Sequence, residues 1–117
     1  MERIIWTKHS EAKIVFYHLS KQRVRRILNS PKRIEKGIAP NTIAMMQVAG
    51  SKKHPYEIWI MLQKGKIKEK IGIGLTRDIS EVKIISAWKY PGKTKAHSET
   101  ALDFLKQEYS DYVLKEK

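Results

Sequence analysis

Residues 56–62 restrict the fold of this chain more than any other segment. Along them Tyr56, Ile58, Ile60 and Leu62 alternate with Glu57, Trp59 and Met61, which is the side-chain period of a β-strand. Both sets are partly apolar, so the sheet is expected to be covered on one side and to meet a partner, or more protein, on the other. A second strand-like run, residues 42–49, precedes it across Gly50-Ser51-Lys52-Lys53-His54-Pro55, which reads as a hairpin loop. Residues 82–87 (Val-Lys-Ile-Ile-Ser-Ala) make the clearest central strand, and Trp88-Lys89-Tyr90 continue from it until Pro91-Gly92 breaks the chain. Residues 63–70 form a charged stretch with the look of an exposed turn. Residues 66–75 could add a strand or ribbon, although Gly72 and Gly74 weaken it as a packed element.

Helices flank these strands. Ile4-Ile5-Trp6 is a short apolar lead-in, and Thr7 or Ser10 can cap a helix over residues 11–17. After the break at His18-Leu19-Ser20, Ser20 is a good N-cap for residues 21–29. There Val24, Ile27 and Leu28 form one apolar stripe, and Gln22, Arg23, Arg25 and Arg26 fall away from it. Ser98 can cap a last helix over residues 98–115, whose stripe is Ala101, Leu102, Leu105, Tyr109, Tyr112 and Val113 with Phe104 off it. The expected architecture is α+β: two N-terminal helices, an antiparallel meander of three to five strands and a C-terminal helix.

With 117 residues and 41% hydrophobic content, the chain fits one domain spanning residues 1–117. It has no cysteine, which excludes disulfides, thiolate metal sites and cysteine nucleophiles. No uninterrupted apolar stretch is long enough for a bilayer, so no membrane is expected and the compartment expected is the cytoplasm. The 24 Lys and Arg residues outnumber 12 Asp and Glu, a formal charge of +12, and such a field draws polyanions; nucleic acid is the first partner to consider. The excess is uneven. Residues 98–117 hold 3 basic and 5 acidic groups, leaving 21 and 7 for residues 1–97, so the two segments carry −2 and +14.

Several motifs fail on inspection. Gly92-Lys93-Thr94 resembles the end of a phosphate loop, but Ala87 stands where the first glycine is required and Pro91 removes an amide. Gly72-Ile73-Gly74 lacks the third glycine of a dinucleotide fingerprint. His9, His18, His54 and His97 lack metal-ligand spacing, although His9 and His97 sit where an imidazole can move protons near neutral pH. The two N-terminal helices also admit a helix-turn-helix reading in which Arg23, Arg25 and Arg26 contact DNA, against the simpler reading of a solvated cationic face. Lys83, Lys89, Lys93 and Lys95 surround Trp88 and Tyr90. Lysines contact phosphates and aromatic rings stack on unpaired bases, a combination suited to single-stranded RNA, unless Trp88 only packs at the sheet end.

The segment Val82-Lys83-Ile84-Ile85-Ser86-Ala87-Trp88-Lys89 resembles the final strand of BrnT-like toxins in the RelE/ParE superfamily. Trp6-Thr7-Lys8-His9, His18-Leu19-Ser20 and Val24, Ile27, Leu28 and Pro31 are similar to the opening of related small domains. In this resemblance Lys89 matches a basic position after the strand and His9 an opening histidine. Trp88 stands where arginine is typical, His18 where a turn glycine is common, and residues 63–81 resemble a hairpin insertion. The resemblance implies a toxin that cleaves RNA, including ribosome-associated mRNA, without metal or other cofactor, held by a cognate antitoxin. The roles it implies are charge stabilisation by Lys83 and Lys89, proton transfer by His9 or Tyr90, and phosphate binding by Arg23, Arg25 and Arg26, with Trp88, Lys93 and Lys95 alongside. Phe104, Asp103 and Asp111 on the last helix are the expected antitoxin or homodimer surface. The alternative is a non-catalytic RNA- or DNA-binding module with the same basic surface.

Overall fold

The computed structural model of the protein describes every residue except Met1, Ile38, Pro40, His97 and Lys117. The described residues form β1 (Glu2–Trp6), α1 (Lys8–Phe16), α2 (Lys21–Asn29), β2 (Arg33–Lys36), β3 (Thr42–Gly50), β4 (Pro55–Gly72), β5 (Leu75–Pro91) and α3 (Glu99–Glu116). The strands make one mixed sheet in the order β1-β5-β4-β3-β2. Strands β2 to β5 are the antiparallel meander, and β1 adds a parallel edge beside β5. The lead-in Ile4-Ile5-Trp6 is therefore a strand. Ile4 lies beside Val82 and Trp6 beside Ile84, and both side chains extend the core built on those residues.

The two apolar faces of β4 are both covered by the chain itself. On one side Ile58, Ile60 and Leu62 pack with Val82, Ile84 and Ala87 of β5 beneath Ile14 of α1 and Val24 and Ile27 of α2. On the other, Trp59 and Met61 pack with Ile85 and Trp88 beneath Leu105 of α3. The partner expected on the second face is thus α3. Phe104 serves that face too, packing edge-on against Tyr90 at 5.1 Å between ring centroids, while Leu102 turns outward. The anticipated contact surface on α3 accordingly lacks Phe104, and Asp111 accepts a hydrogen bond from Gln107.

Capping explains the helix starts. Thr7 caps α1 by accepting from the Ser10 amide at 3.1 Å, Ser20 caps α2 by accepting from the Arg23 amide at 3.0 Å, and Ser98 accepts from the Ala101 amide at 3.3 Å. The choice of Thr7 over Ser10 starts α1 earlier than residue 11. Thr7 does more than cap, because its hydroxyl donates to the carbonyls of Ile84 and Ile85 at 2.8 and 3.2 Å. Those carbonyls belong to a β-bulge: Met61 lies opposite Ser86 and Leu62 opposite Ile84, so Ile85 is the extra residue. The bulge places Ile85 and Ser86 on the same side, under α3. There the Ser86 hydroxyl donates to buried Glu108 at 2.6 Å, and Lys13 of α1 reaches the other carboxylate oxygen at 2.7 Å. These contacts join α1, β5 and α3 at one point.

Residues 63–81, where sequence offered either a turn or a ribbon, continue β4 and β5 as a two-stranded arm. Strand β3 pairs with β4 only as far as Gln63 and β1 with β5 only from Ser80, so the pairs from Ile67–Ile79 to the turn at Ile73-Gly74 have no third strand. Gly74 takes a φ of 71°, the left-handed region a tight turn demands. Ile67 faces Ile79 across the arm, and Arg77 forks onto Glu69 through Nε and a terminal nitrogen at 2.9 and 2.8 Å. No described helix is long and apolar enough to cross a membrane.

The Thr7 hydroxyl supplies both the cap and the bulge contacts, so Thr7→Val, which keeps the branched shape, should destabilise the fold by about 1–2 kcal/mol. Urea unfolding should show a lower midpoint at unchanged slope. An unchanged midpoint would separate the hydroxyl from stability.

Candidate functional site

An open cleft of about 310 Å³ lies where β4 begins and β5 ends. Tyr56, Ile58 and Lys89 form its floor with Ala49 of β3, and the turn His18-Leu19-Ser20 and Arg23 and Arg26 of α2 form its wall. Arg23 and Arg26 are three residues apart and share one helical face, which points them at the sheet end. Lys89 faces the same side because its neighbours across the ladder are Ile58 and the α2-side core, and its Nζ stands 5.4 Å from the centroid of the Tyr56 ring. The N-terminus of α2 opens beside the cleft and adds its partial positive charge. Nothing acidic lines the cleft among the described residues.

The wall depends on an uncommon backbone. His18 has a φ of 55°, and around it the Leu19 amide donates to Ile14 O at 2.8 Å and the His18 amide to Val15 O at 3.2 Å. This is the Schellman closure of α1, with Leu19 returning to the same apolar cluster as Ile14. Glycine is the ordinary occupant of such a position, since a Cβ in left-handed backbone costs about 1 kcal/mol or more. Here an exposed imidazole occupies it at the mouth of the cleft. Arg23 adds a second unsettled group, for its buried Nε has no hydrogen-bond partner while the side chain lines the cleft.

The structure brings together Arg23, Arg26 and Lys89 from the residues singled out in the sequence, and it adds His18 and Tyr56. The others lie elsewhere. Arg25 leaves the cleft side of α2 and stands 5.9 Å over Trp6, beside Lys21 at 5.0 Å. His9 is buried between α1 and α3, with Nε2 at 3.4 Å from the Glu108 carboxylate. Lys83 is half-buried opposite Gln63, on the α3 side near the root of the arm. Tyr90 also faces α3. Trp88 is 1% exposed, its indole stacked on Trp59 at 5.9 Å, so it presents no face to a base. Lys93 lines a separate shallow surface beside Gly50 and Lys52, and Lys95 is exposed in the segment before α3. His97 lies outside the described residues.

A second polar group lies under α3. Glu57 accepts from the Trp59 indole at 3.0 Å and from the Thr94 hydroxyl and amide at 2.7 and 3.2 Å, while Arg33 donates to Thr94 and stacks over Trp59 at 5.1 Å. Thr94 thus bridges the Glu57 carboxylate and the Arg33 guanidinium, Arg33 pairs with Glu35 at 3.6 Å, and the arrangement ties the segment after β5 back to the sheet, which marks it as structural. Among the described residues, no group of three or more His, Asp or Glu side chains is placed to hold a metal ion.

Chemically, the cleft joins three cations, a phenol and an imidazole on one wall and floor. Those groups suit a phosphodiester: the cations hold the phosphate charge, and the imidazole and phenol can exchange protons. Comparisons with protein-family models, with curated proteins and with solved structures found no match.

If the left-handed backbone at residue 18 is held for the sake of its side chain, His18→Gly should raise stability by up to about 1 kcal/mol. His18→Val should lower it, because a branched side chain tolerates that backbone least. Thermal unfolding of the two variants against the native chain measures both signs.

Proposed function

We propose that this protein is a RelE/BrnT-like toxin that cleaves RNA without a metal, acting on mRNA in the cytoplasm and restrained by a cognate antitoxin. The observation that carries the reading is the convergence of Arg23, Arg26, Lys89, Tyr56 and His18 on one cleft, with the histidine occupying a backbone position that normally takes glycine. The α+β order of two helices, meander and terminal helix is consistent with it.

In this reading the RNA phosphate sits between Arg23, Arg26 and Lys89. His18 takes the proton from the 2′-hydroxyl as that oxygen forms its bond to phosphorus. The bond from phosphorus to the 5′-oxygen breaks, and the Tyr56 hydroxyl supplies the proton to that leaving oxygen. The products are a 2′,3′-cyclic phosphate and a 5′-hydroxyl, and the arginines stabilise the charge that accumulates on the phosphorane. This placement moves the proton-transfer role from His9 and Tyr90 to His18 and Tyr56, because the former pair faces α3.

The second reading is a non-catalytic nucleic-acid-binding module, and the openness of the cleft favours it, since little of the wall would exclude water from a bound phosphate.

One assay decides between them. End-labelled RNA, free and on translating ribosomes, is incubated with the purified protein in the presence of a chelator. Native protein should cut it, His18→Gly should cut about 100-fold more slowly while remaining folded, and Lys89→Ala and Arg23→Ala should lose both binding and cutting. Intact RNA with salt-sensitive binding would establish the binding module; cutting by His18→Gly at the native rate would remove the imidazole from the mechanism.

A further inference from the structure

The arm formed by the outer halves of β4 and β5 carries a surface that the cleft does not use. Along β4, Lys64, Lys66, Lys68 and Lys70 occupy alternate positions, so their side chains share one face, and all four are exposed. Across the ladder the same face carries Val82 at the root, then Ser80, Asp78 and Thr76. The opposite face holds the arm together with the Ile67–Ile79 pair and the fork of Arg77 on Glu69. The two faces have divided the work: one stabilises the ribbon, and the other presents a row of ammonium groups with two hydroxyls and the single carboxylate of Asp78.

From this we infer that the arm is a β-ribbon that binds double-stranded DNA, its lysine face meeting the phosphate backbone on entering the major groove. Successive lysines on the face are about 6.8 Å apart, and the two strands lie about 4.8 Å apart, dimensions that a major groove about 12 Å wide accepts. The lysine row reaches about 25–30 Å from Lys64 to the turn, and its outer part of about 20 Å, from Ile67 onward, is free of a third strand, enough to lie in the groove between both flanking backbones. Duplex RNA is a poor match, because its major groove is deep and too narrow for side chains to read. Single strands are a poor match for a different reason: their binding relies on aromatic stacking, and residues 64–81 contain no Phe, Tyr or Trp. Thr76 and Ser80 stand beside the lysines as neutral donors and acceptors for phosphates or base edges. The exposed Ile71, Ile73 and Leu75 at the tip offer apolar contact to thymine methyl groups.

The arm's face and the cleft lie on the same side of the sheet but at opposite ends of β4, so the inference stands or falls separately from RNA cleavage. The experiment measures fluorescence anisotropy of a labelled DNA duplex of about 20 base pairs, two helical turns, over a range of salt concentrations. Single-stranded DNA and duplex RNA of the same length run in parallel. In the fourfold variant K64Q/K66Q/K68Q/K70Q the plot of log affinity against log salt for duplex DNA should become shallower by about 3 to 4, because each phosphate contact contributes about 0.9. The matching fourfold Lys→Arg variant should keep the native slope. Circular dichroism checks the fold of both, and the Ile67–Ile79 pair and the Arg77–Glu69 fork on the opposite face are left in place.

Equal slopes for the native and Gln variants on duplex DNA would overturn the inference. So would an equal loss on single strands or on duplex RNA, which would make the arm a general polyanion contact. A dimer in sedimentation that Ile73→Ser dissolves, with DNA binding unchanged by the lysine substitutions, would overturn it in favour of a second copy of the chain.

Discussion

Everything in the fold rests on the need to cover β4 and β5 from both sides. These strands pair along their whole lengths, and in the body of the molecule they carry Ile58, Ile60, Leu62 and Ile84 on one face and Trp59, Met61, Ile85 and Trp88 on the other. Each such side chain contributes about 1.5–3 kcal/mol when it leaves water, so neither face can remain open. Helices α1 and α2 close the first and α3 the second. Where the pattern of large apolar residues stops, at Gln63 on β4 and Ser80 on β5, the neighbouring strands and the helices stop as well, and only the ribbon continues.

Much of this was legible. The period-two alternation of residues 56–62, the Ile-Ile-Ser-Ala strand, the Ser20 and Ser98 caps and the apolar stripe of α2 each state a local preference that tertiary structure respects. The edge strand β1 was not legible, because a run of three apolar residues has no period and its pairing partner lies 78 positions away. The covering of the second face was obscured by Phe104, which the ideal helical stripe of α3 places outside and the structure places against Tyr90. The arm was legible as either a charged turn or a ribbon, since lysine at every second position suits both until the intervening Ile67 is seen to meet Ile79.

Composition identified the site's charge but not its geometry. Arg23 and Arg26 converge with Lys89, as their common basic character allowed, whereas Arg25 goes to Trp6 and Trp88 goes into the core. His18 was legible only as a residue standing where a turn glycine is common, because the sequence shows a turn that lacks glycine and not the φ of 55° that results. That absence was itself the signal. A helix end that closes in the left-handed region without glycine carries a side chain at the one position where the backbone least favours one.

The bulge at Ile85 and Ser86 governs which way the end of β5 looks. Up to Ile84 the even-numbered residues face α1 and α2; beyond the extra residue the odd-numbered ones do. A single deletion at this point would rotate the remaining strand by half a turn, sending the Lys89 ammonium beneath α3 and the Trp88 indole into the space beside Arg23. The chemistry available at the α2 end of the sheet is thus set by a one-residue phase shift in the strand, anchored from below by a threonine hydroxyl and from above by a glutamate.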